Sequence, residues 1–343
     1  MKKKLRSGLK ILLLFLSPLP AFCQDNIGDL FKSGPEDATK LVNAYINPLF
    51  KGMGVGLNSG WTNTAKTKSF LRFDLRITAT AAFVPNSDKA YDVNTLGLKN
   101  MRPVDPFKST GPTAFGSKQQ GSEMEFYSNG YSTGKFRLPK GTGLGVVPSP
   151  QVQLTVGLLK NMDVSLRLVP KVNLGDDAGT ISLFGIGTKL EVLPMLMGKK
   201  YTATPIDLAV AIGYSKLKYN IPLNINDEAN SNQNVNIEMN GFSAEAIVSK
   251  KILFFTPFAS IGYNTSKSDL KAIGSYKFDA PTPLDPNHQE TYVDPISIKQ
   301  TDVDGLKASL GFQLNLGFFR VYASYTQAKY SFANAGIGFG IGK

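Results

Sequence analysis

The chain has 343 residues, with 33 glycines, 20 prolines, one cysteine, one histidine and a formal charge of +12. A mean hydropathy of −0.10 is too polar for a bundle of membrane helices, and 42% hydrophobic with 19% charged residues is too apolar for a disordered chain. One Cys and one His rule out a zinc finger, an iron–sulfur site and a disulfide framework.

The first segment, Met1 to Cys23, reads as a secretory signal. Lys2, Lys3, Lys4, Arg6 and Lys10 precede the apolar run Ile11 to Leu16, and Ala21-Phe22-Cys23 sets small residues where a signal peptidase reads. Cleavage is expected before Gln24; bulky Phe22 argues against lipidation at Cys23. Loss of five positive charges takes +12 to +7 and removes the only cysteine. An exported chain with scattered basic residues gives no support to a nucleic-acid partner. Outside the signal no apolar run approaches the roughly 20 residues of a spanning helix.

The segment 24–68 has a helical texture. Ser33-x-x-Glu36 forms a capping box with Pro35 in the first turn. Ala38, Leu41, Val42, Tyr45, Ile46 and Leu49 then recur at helical spacing, so an amphipathic helix of about three turns is expected, ended by Pro48 and Gly52. The same stripe makes Ala38, Leu41, Val42, Tyr45 and Ile46 the contact face of a plug.

From residue 69 the period changes to two. Leu71, Phe73, Leu75, Ile77, Ala79 and Ala81 are apolar, with Arg72, Asp74, Arg76, Thr78 and Thr80 between them. Leu306, Ala308, Leu310, Phe312, Leu314 and Leu316 repeat the pattern near the C-terminus. Such runs match the roughly 9–11 residues with which a tilted strand crosses a bilayer, and exceed the roughly 5–6 of a soluble strand. Further alternating runs lie at 151–158, 162–168 and 206–214. Between Asn236 and Ser249 the phase slips, which predicts a bulge near Asn240 and Gly241. The fold expected is all-β: an antiparallel transmembrane β-barrel of 10 to 14 strands over 69–343, with the N-terminal helix as plug. Ten strands is the strict count, and hairpins near Glu123 to Tyr131 and Asp269 to Phe278 would raise it. Short turns at Lys160–Asn161, Lys250–Lys251 and Gly317 alternate with long loops at 85–150, 220–234 and 279–302.

Several blocks carry a resemblance. The helix running into Pro48-Leu49-Phe50-Lys51-Gly52, then Asn58-Ser59-Gly60-Trp61 and Phe73-Asp74-Leu75, resembles an uncharacterised family of outer-membrane barrels from the Bacteroidota. So do Pro112-Thr113-Ala114-Phe115-Gly116, Val147-Pro148-Ser149-Pro150-Gln151-Val152 and Leu166-Arg167-Leu168-Val169-Pro170. A helical N-terminus before a mid-sized barrel is also similar, in architecture, to long-chain fatty-acid transporters of the FadL type. That likeness implies a plugged lumen and uptake of a hydrophobic compound, and carries over no binding residue.

Candidate chemistry is sparse. His288 sits in a proline-rich loop with no Gly-x-Ser-x-Gly elbow, so an exposed loop histidine is expected rather than a catalytic one. Asn173, Asp176 and Asp177 match no calcium loop and read as a solvated turn. No metal, cofactor or catalytic residue is expected. The alternation points eleven charges inward: Arg72, Asp74, Arg76, Asp163, Arg167, Lys189, Glu191, Asp207, Glu245, Lys307 and Arg320. Six positive against five negative is too even for an ion-selective wall, and favours charges paired across strands and with the plug over a charged solute path. Glycines 336, 338 and 340 are expected to leave space for the plug helix. Trp61 with Tyr201, Tyr214, Tyr219, Tyr263, Tyr325 and Tyr330 reads as an aromatic girdle. The function expected is passive uptake of a small hydrophobic molecule by a monomeric barrel in outer-membrane lipid. A surface scaffold or assembly barrel is the alternative, and a lipid-modifying enzyme the least supported.

Overall fold

A computed structural model describes residues 34–128, 131–175, 178–198, 204–223, 233–279, 285 and 288–340. The signal segment, Ser33, Asp176, Asp177 and Tyr201 lie outside these residues. In chain order the elements are α1 (Pro35–Asn58), β1 (Phe73–Phe83), β2 (Ala90–Asp92), β3 (Met101–Pro103), β4 (Thr110–Pro112), β5 (Glu123–Ser128) and β6 (Tyr131–Arg137). There follow β7 (Val146–Leu159), β8 (Met162–Gly175), β9 (Gly179–Glu191), α2 (Leu193–Met197), β10 (Asp207–Pro222) and β11 (Asn234–Ser249). The rest are β12 (Phe255–Ile273), β13 (Ser275–Asp279), β14 (Gln289–Val293), β15 (Ile296–Leu316), β16 (Phe319–Gln327) and β17 (Phe332–Gly340).

Ten strands close an antiparallel barrel in the order β1-β17-β16-β15-β12-β11-β10-β9-β8-β7. The hairpin anticipated near Glu123 exists, but its strands join a small outer sheet, in which β5 lies between β3 and β6, rather than the wall. The one near Asp269 is the upper part of β12, continued by β13, which pairs with β14 as a separate ribbon. First and last strands close the ring from Asp74↔Gly340 to Ala82↔Phe332. Loop lengths alternate less cleanly than the sequence implies. The outer β8–β9 connection is short, and the inner β9–β10 connection is the longer one, carrying α2.

The wall turns apolar side chains outward: Leu75, Leu154, Leu166, Ile186, Ile212, Ile261 and Leu310 are all exposed. In bilayer such a face is covered by lipid. The long strands, 16 residues in β10 and β11, 19 in β12 and 21 in β15, overshoot the membrane, and there the polarity inverts. On β10 the outward series runs Val210, Ile212, Tyr214, then Lys216 and Lys218, while the inward series runs Ala209, Ala211, Ser215, then Leu217, Tyr219 and Ile221. The same inversion replaces the expected bulge in β11. Its register runs unbroken through Asn240↔Lys267 and Gly241↔Ser266, and Ile237 and Met239 simply face inward where Phe242 faces outward. Beyond the lipid an apolar outward residue has no solvent to suit it, so apolar groups move to the inside.

α1 fills this apolar upper lumen. Ala38, Leu41, Val42, Phe50 and Leu57 join Ile181, Leu183, Leu217, Ile237, Met239 and Leu270 in one core. Tyr45 packs in an adjoining cluster with Val147 and Phe332, and half-buried Ile46 touches both. The helix is 24 residues long rather than three turns, passing through Pro48 and Gly52. Its N-cap is Gly34, and Glu36 does not close a capping box; it pairs with Lys40 at 3.1 Å and Lys99 at 2.8 Å. Those two hydrogen bonds hold its carboxyl below the usual carboxylate range.

Candidate functional site: the plugged lumen

Between α1 and β1, residues 59–70 form a strap across the inner half of the lumen, and the inward charges bind it or one another. Asp74 pairs with Arg320, with Lys68 at 3.7 Å and with Arg76 at 3.9 Å. Asp163 meets Lys189 at 3.3 Å, and Lys189 also donates to the carbonyls of Thr64 and Lys66 at 3.1 and 2.8 Å. Glu191 and Asp207 both reach Lys66, at 3.2 and 3.6 Å. Glu245 pairs with Lys307 at 3.1 Å and accepts from the Thr62 hydroxyl at 2.5 Å. Arg72 does not point into the lumen. Leu71 adopts φ 58, β1 begins at Phe73, and Arg72 lies exposed at the rim.

The strap cations Lys66 and Lys68 belong to this network and fell outside the inward-facing set, because they lie on no strand. Their signal was the polar run Thr62-Asn63-Thr64-Ala65-Lys66-Thr67-Lys68, too hydrophilic for lipid and too close to the barrel to be a linker.

Trp61 is the second surprise. It is 4% exposed and lies inside the lumen, not in a girdle. The Arg167 guanidinium stacks on its ring at 3.7 Å while donating to the carbonyls of Leu57 and Ser59 at 3.1 and 2.6 Å. Gly185, Gly187 and Gly213 make the slot for the indole: a Cβ at Gly213 would lie 2.4 Å from the ring. Tyr219 and Tyr330 are also buried, donating to the Ala178 carbonyl and to Asp88, while Tyr214, Tyr263 and Tyr325 do face outward. Glycines 336, 338 and 340 make room for Tyr322, Arg76 and Arg320 rather than for α1. The glycines that admit the helix are on it: Gly52 faces Val147, Gly54 faces Ser266 and Gly56 faces Ser149, each closer than a Cβ would permit.

Two features break the closed picture. Between β7 and β8 the ladder runs only from Leu159↔Met162 to Leu154↔Leu166. Above it the two strands pair with their other neighbours alone, β7 with β1 up to Phe83↔Val146 and β8 with β9. Pro148 and Pro150 on β7 and Pro170 on β8 have no N–H to offer such a ladder, and a bulge between Val169 and Val172 bends β8 there. Behind this seam lies a cavity of about 20 Å³ with a mixed lining, Met53, Leu57, Val169 and Leu183 on the apolar side and Ser149, Gln151, Arg167 and Ser215 on the polar side. That is room for about one water.

The second feature is an open pocket of about 350 Å³ at the outer end, between α1 and the loop after β1. The two cavities share no lining residue. Asp88, at the pocket's edge, accepts from Lys51 at 2.7 Å and from Tyr330 at 2.6 Å. Burial pushes its carboxyl up, but those hydrogen bonds outweigh it and hold the group below the usual range. His288 lies by Asp285 at 3.9 Å, half-exposed, and lines neither cavity.

An antiparallel wall with an apolar lipid-facing belt, closed on itself and filled by its own N-terminal helix and strap, defines a plugged outer-membrane β-barrel. The chain belongs to a family of unknown function (DUF6588), whose model matches residues 1–341. No curated protein matches it. Among solved structures it is similar to the translocator domain of the autotransporter NalP from Neisseria meningitidis, at 10% identity and a TM-score of 0.31 over 90% of this chain and 99% of that one. It is also similar to Ail, the attachment invasion locus protein of Yersinia pestis, at 10% identity and 0.26 over 79% and 98%. The Pseudomonas putida toluene transporter TodX matches at 9% identity and 0.29 over 85% and 74%. At such scores the likeness is of one barrel to another and says nothing about solute or partner.

Proposed function

We propose that this monomeric barrel takes up small apolar molecules passively and delivers them sideways into the surrounding lipid through the β7–β8 seam. The observation that supports this reading is the seam itself: an unladdered stretch of wall beside an apolar upper lumen. A straight path would have to pass the strap and its ion pairs, where an apolar solute gains nothing and each pair would be left uncompensated. An apolar solute crossing at the seam breaks no ladder hydrogen bond.

The test uses cells expressing the protein and the dye N-phenylnaphthylamine, which fluoresces on entering membrane. Expression is expected to speed dye entry several-fold. Bridging Pro150→Cys to Val169→Cys with a short bismaleimide is expected to return entry to background. Unchanged entry after bridging would sink the lateral route.

The alternative, a surface scaffold or assembly barrel, is favoured by one observation, the closure of the inner lumen by paired charges. In that case dye entry is the same with and without expression.

A further inference from the structure

Above the lipid belt the charge on the barrel's outer face is one-sided. On β1, β7, β8, β9, β16 and β17 the outward series carry no charge among the described residues except Lys171 of β8. On β10, β11, β12 and β15 the register stacks outward residues in rows that turn from apolar to basic. Tyr214, Phe242, Thr265 and Asp304 form the boundary row. In the row above, Lys216 and Lys267 flank Asn240; in the next, Lys218 and Lys299 flank Glu238 and Asp269. Lys271 stands one step higher on β12. The three acids are already occupied. Glu238 holds both Lys216 and Lys218 at 2.9 Å, Asp269 holds Lys299 at 3.7 Å, and Asp304 accepts from the Tyr263 hydroxyl. Lys267 and Lys271 are exposed and make no ion pair among the described residues.

We infer that this face binds the phosphate head group of a lipid in the outer leaflet. Its height selects the occupant. Lys216 lies two residues above Tyr214 and four above Ile212, which is 51% exposed in the lipid belt. The amines therefore sit where head groups meet acyl chains, the depth at which interfacial tyrosines lie. A lipid phosphate is held at that depth by its own chains, whereas a soluble anion gains nothing from the belt below. The spacing fits as well. Lys216 and Lys267 are two strand spacings apart, about 10 Å between Cα atoms, so their long side chains can close on one phosphate. Asn240 between them accepts the Tyr214 hydroxyl on its Oδ1 at 2.7 Å, which leaves its amide N–H groups as donors. If Lys216 turns to a phosphate, Glu238 keeps Lys218 as counter-ion. With short turns toward the periplasm, the leaflet is the outer one. This site is independent of the uptake reading, and dye entry has no bearing on it.

The test titrates the full-length protein in dodecyl maltoside with diphosphoryl lipid A or with phosphatidylcholine and counts bound lipids by native mass spectrometry. EDTA is present, so that no divalent ion bridges lipid to Glu238 or Asp269. Lipid A is expected to bind at tenfold or more lower concentration than phosphatidylcholine. The double variant Lys267→Gln, Lys271→Gln is expected to weaken lipid A tenfold or more and to leave phosphatidylcholine and the unfolding midpoint unchanged. Lys171→Gln on β8 is expected to change neither lipid. Equal binding of the two lipids, or a double variant that binds lipid A like the wild type, overturns the proposal. An equal loss in Lys171→Gln does the same, since net charge rather than this face would then be responsible. Displacement of lipid A by inorganic phosphate at matched concentration would make it a free-anion site and overturn the lipid reading.

Discussion

Gly213 has no room for a methyl group. A Cβ there would meet the Trp61 ring at 2.4, 2.5 and 2.6 Å, and the ring is rigid and fixed on its other face by Arg167. At Gly185 the added atom would find its nearest neighbours at 3.0 and 3.2 Å, a fit that small side-chain shifts relieve. Gly213→Ala is therefore expected to cost roughly 1–3 kcal/mol, as overpacking does, and Gly185→Ala clearly less, in unfolding titrations of the refolded protein. Equal effects would mean that the slot does not grip the indole. This contact was invisible in the sequence. A tryptophan near the start of the first strand reads as an interfacial anchor, and only the closure of β9 and β10 around the strap sets three glycines against it.

Among elements, α1 departs furthest from its sequence pattern. Pro48 removes one helix hydrogen bond and costs up to roughly 3 kcal/mol in a free helix, so a stop was the expected outcome. Inside the lumen the competing conformations are excluded by the wall, and the helix continues to Asn58. The glycines that look like breakers are there for close approach. The long strands make the complementary point. Alternation located them correctly, but in their outer parts the apolar set faces in, because lipid ends before the strand does. On β15 the outward face holds Leu310, 69% exposed in the lipid belt, and Lys299 above it, 3.7 Å from Asp269. Leu310→Arg is expected to cost roughly 2–4 kcal/mol, while Lys299→Leu should stay within about 0.5 kcal/mol. Denaturant titration of protein folded in phospholipid vesicles measures both. A large cost at Lys299 and none at Leu310 would place the membrane at the wrong end of the strand.

For the molecule as a whole, the direction of α1 is the consequential fact. Its first turn sits at the end that carries the long loops, where Asp37 accepts from the backbone N–H groups of Lys99 and Asn100 at 2.7–3.0 Å. The helix then descends toward the short-turn end, so the plug enters from the loop side. With short turns toward the periplasm, a membrane-impermeant maleimide is expected to label Glu36→Cys on intact cells. Lys251→Cys should label only after the outer membrane is opened. Cys23 is the only natural cysteine, so cleavage before Gln24, or a Cys23→Ser background, leaves the introduced thiol as the single site. The reverse labelling pattern would invert the barrel.

Strand alternation, the lipid-facing belt, ten strands as the strict count and a helix ahead of the barrel were all legible in the sequence. These follow from local period and from the solvent each face meets, both written in neighbouring residues. Which inward charges pair, where Trp61 lies, how far α1 runs and where the wall loses its ladder were decided by tertiary structure alone. Each depends on residues far apart in the chain meeting across a lumen whose width is set only when β1 closes on β17.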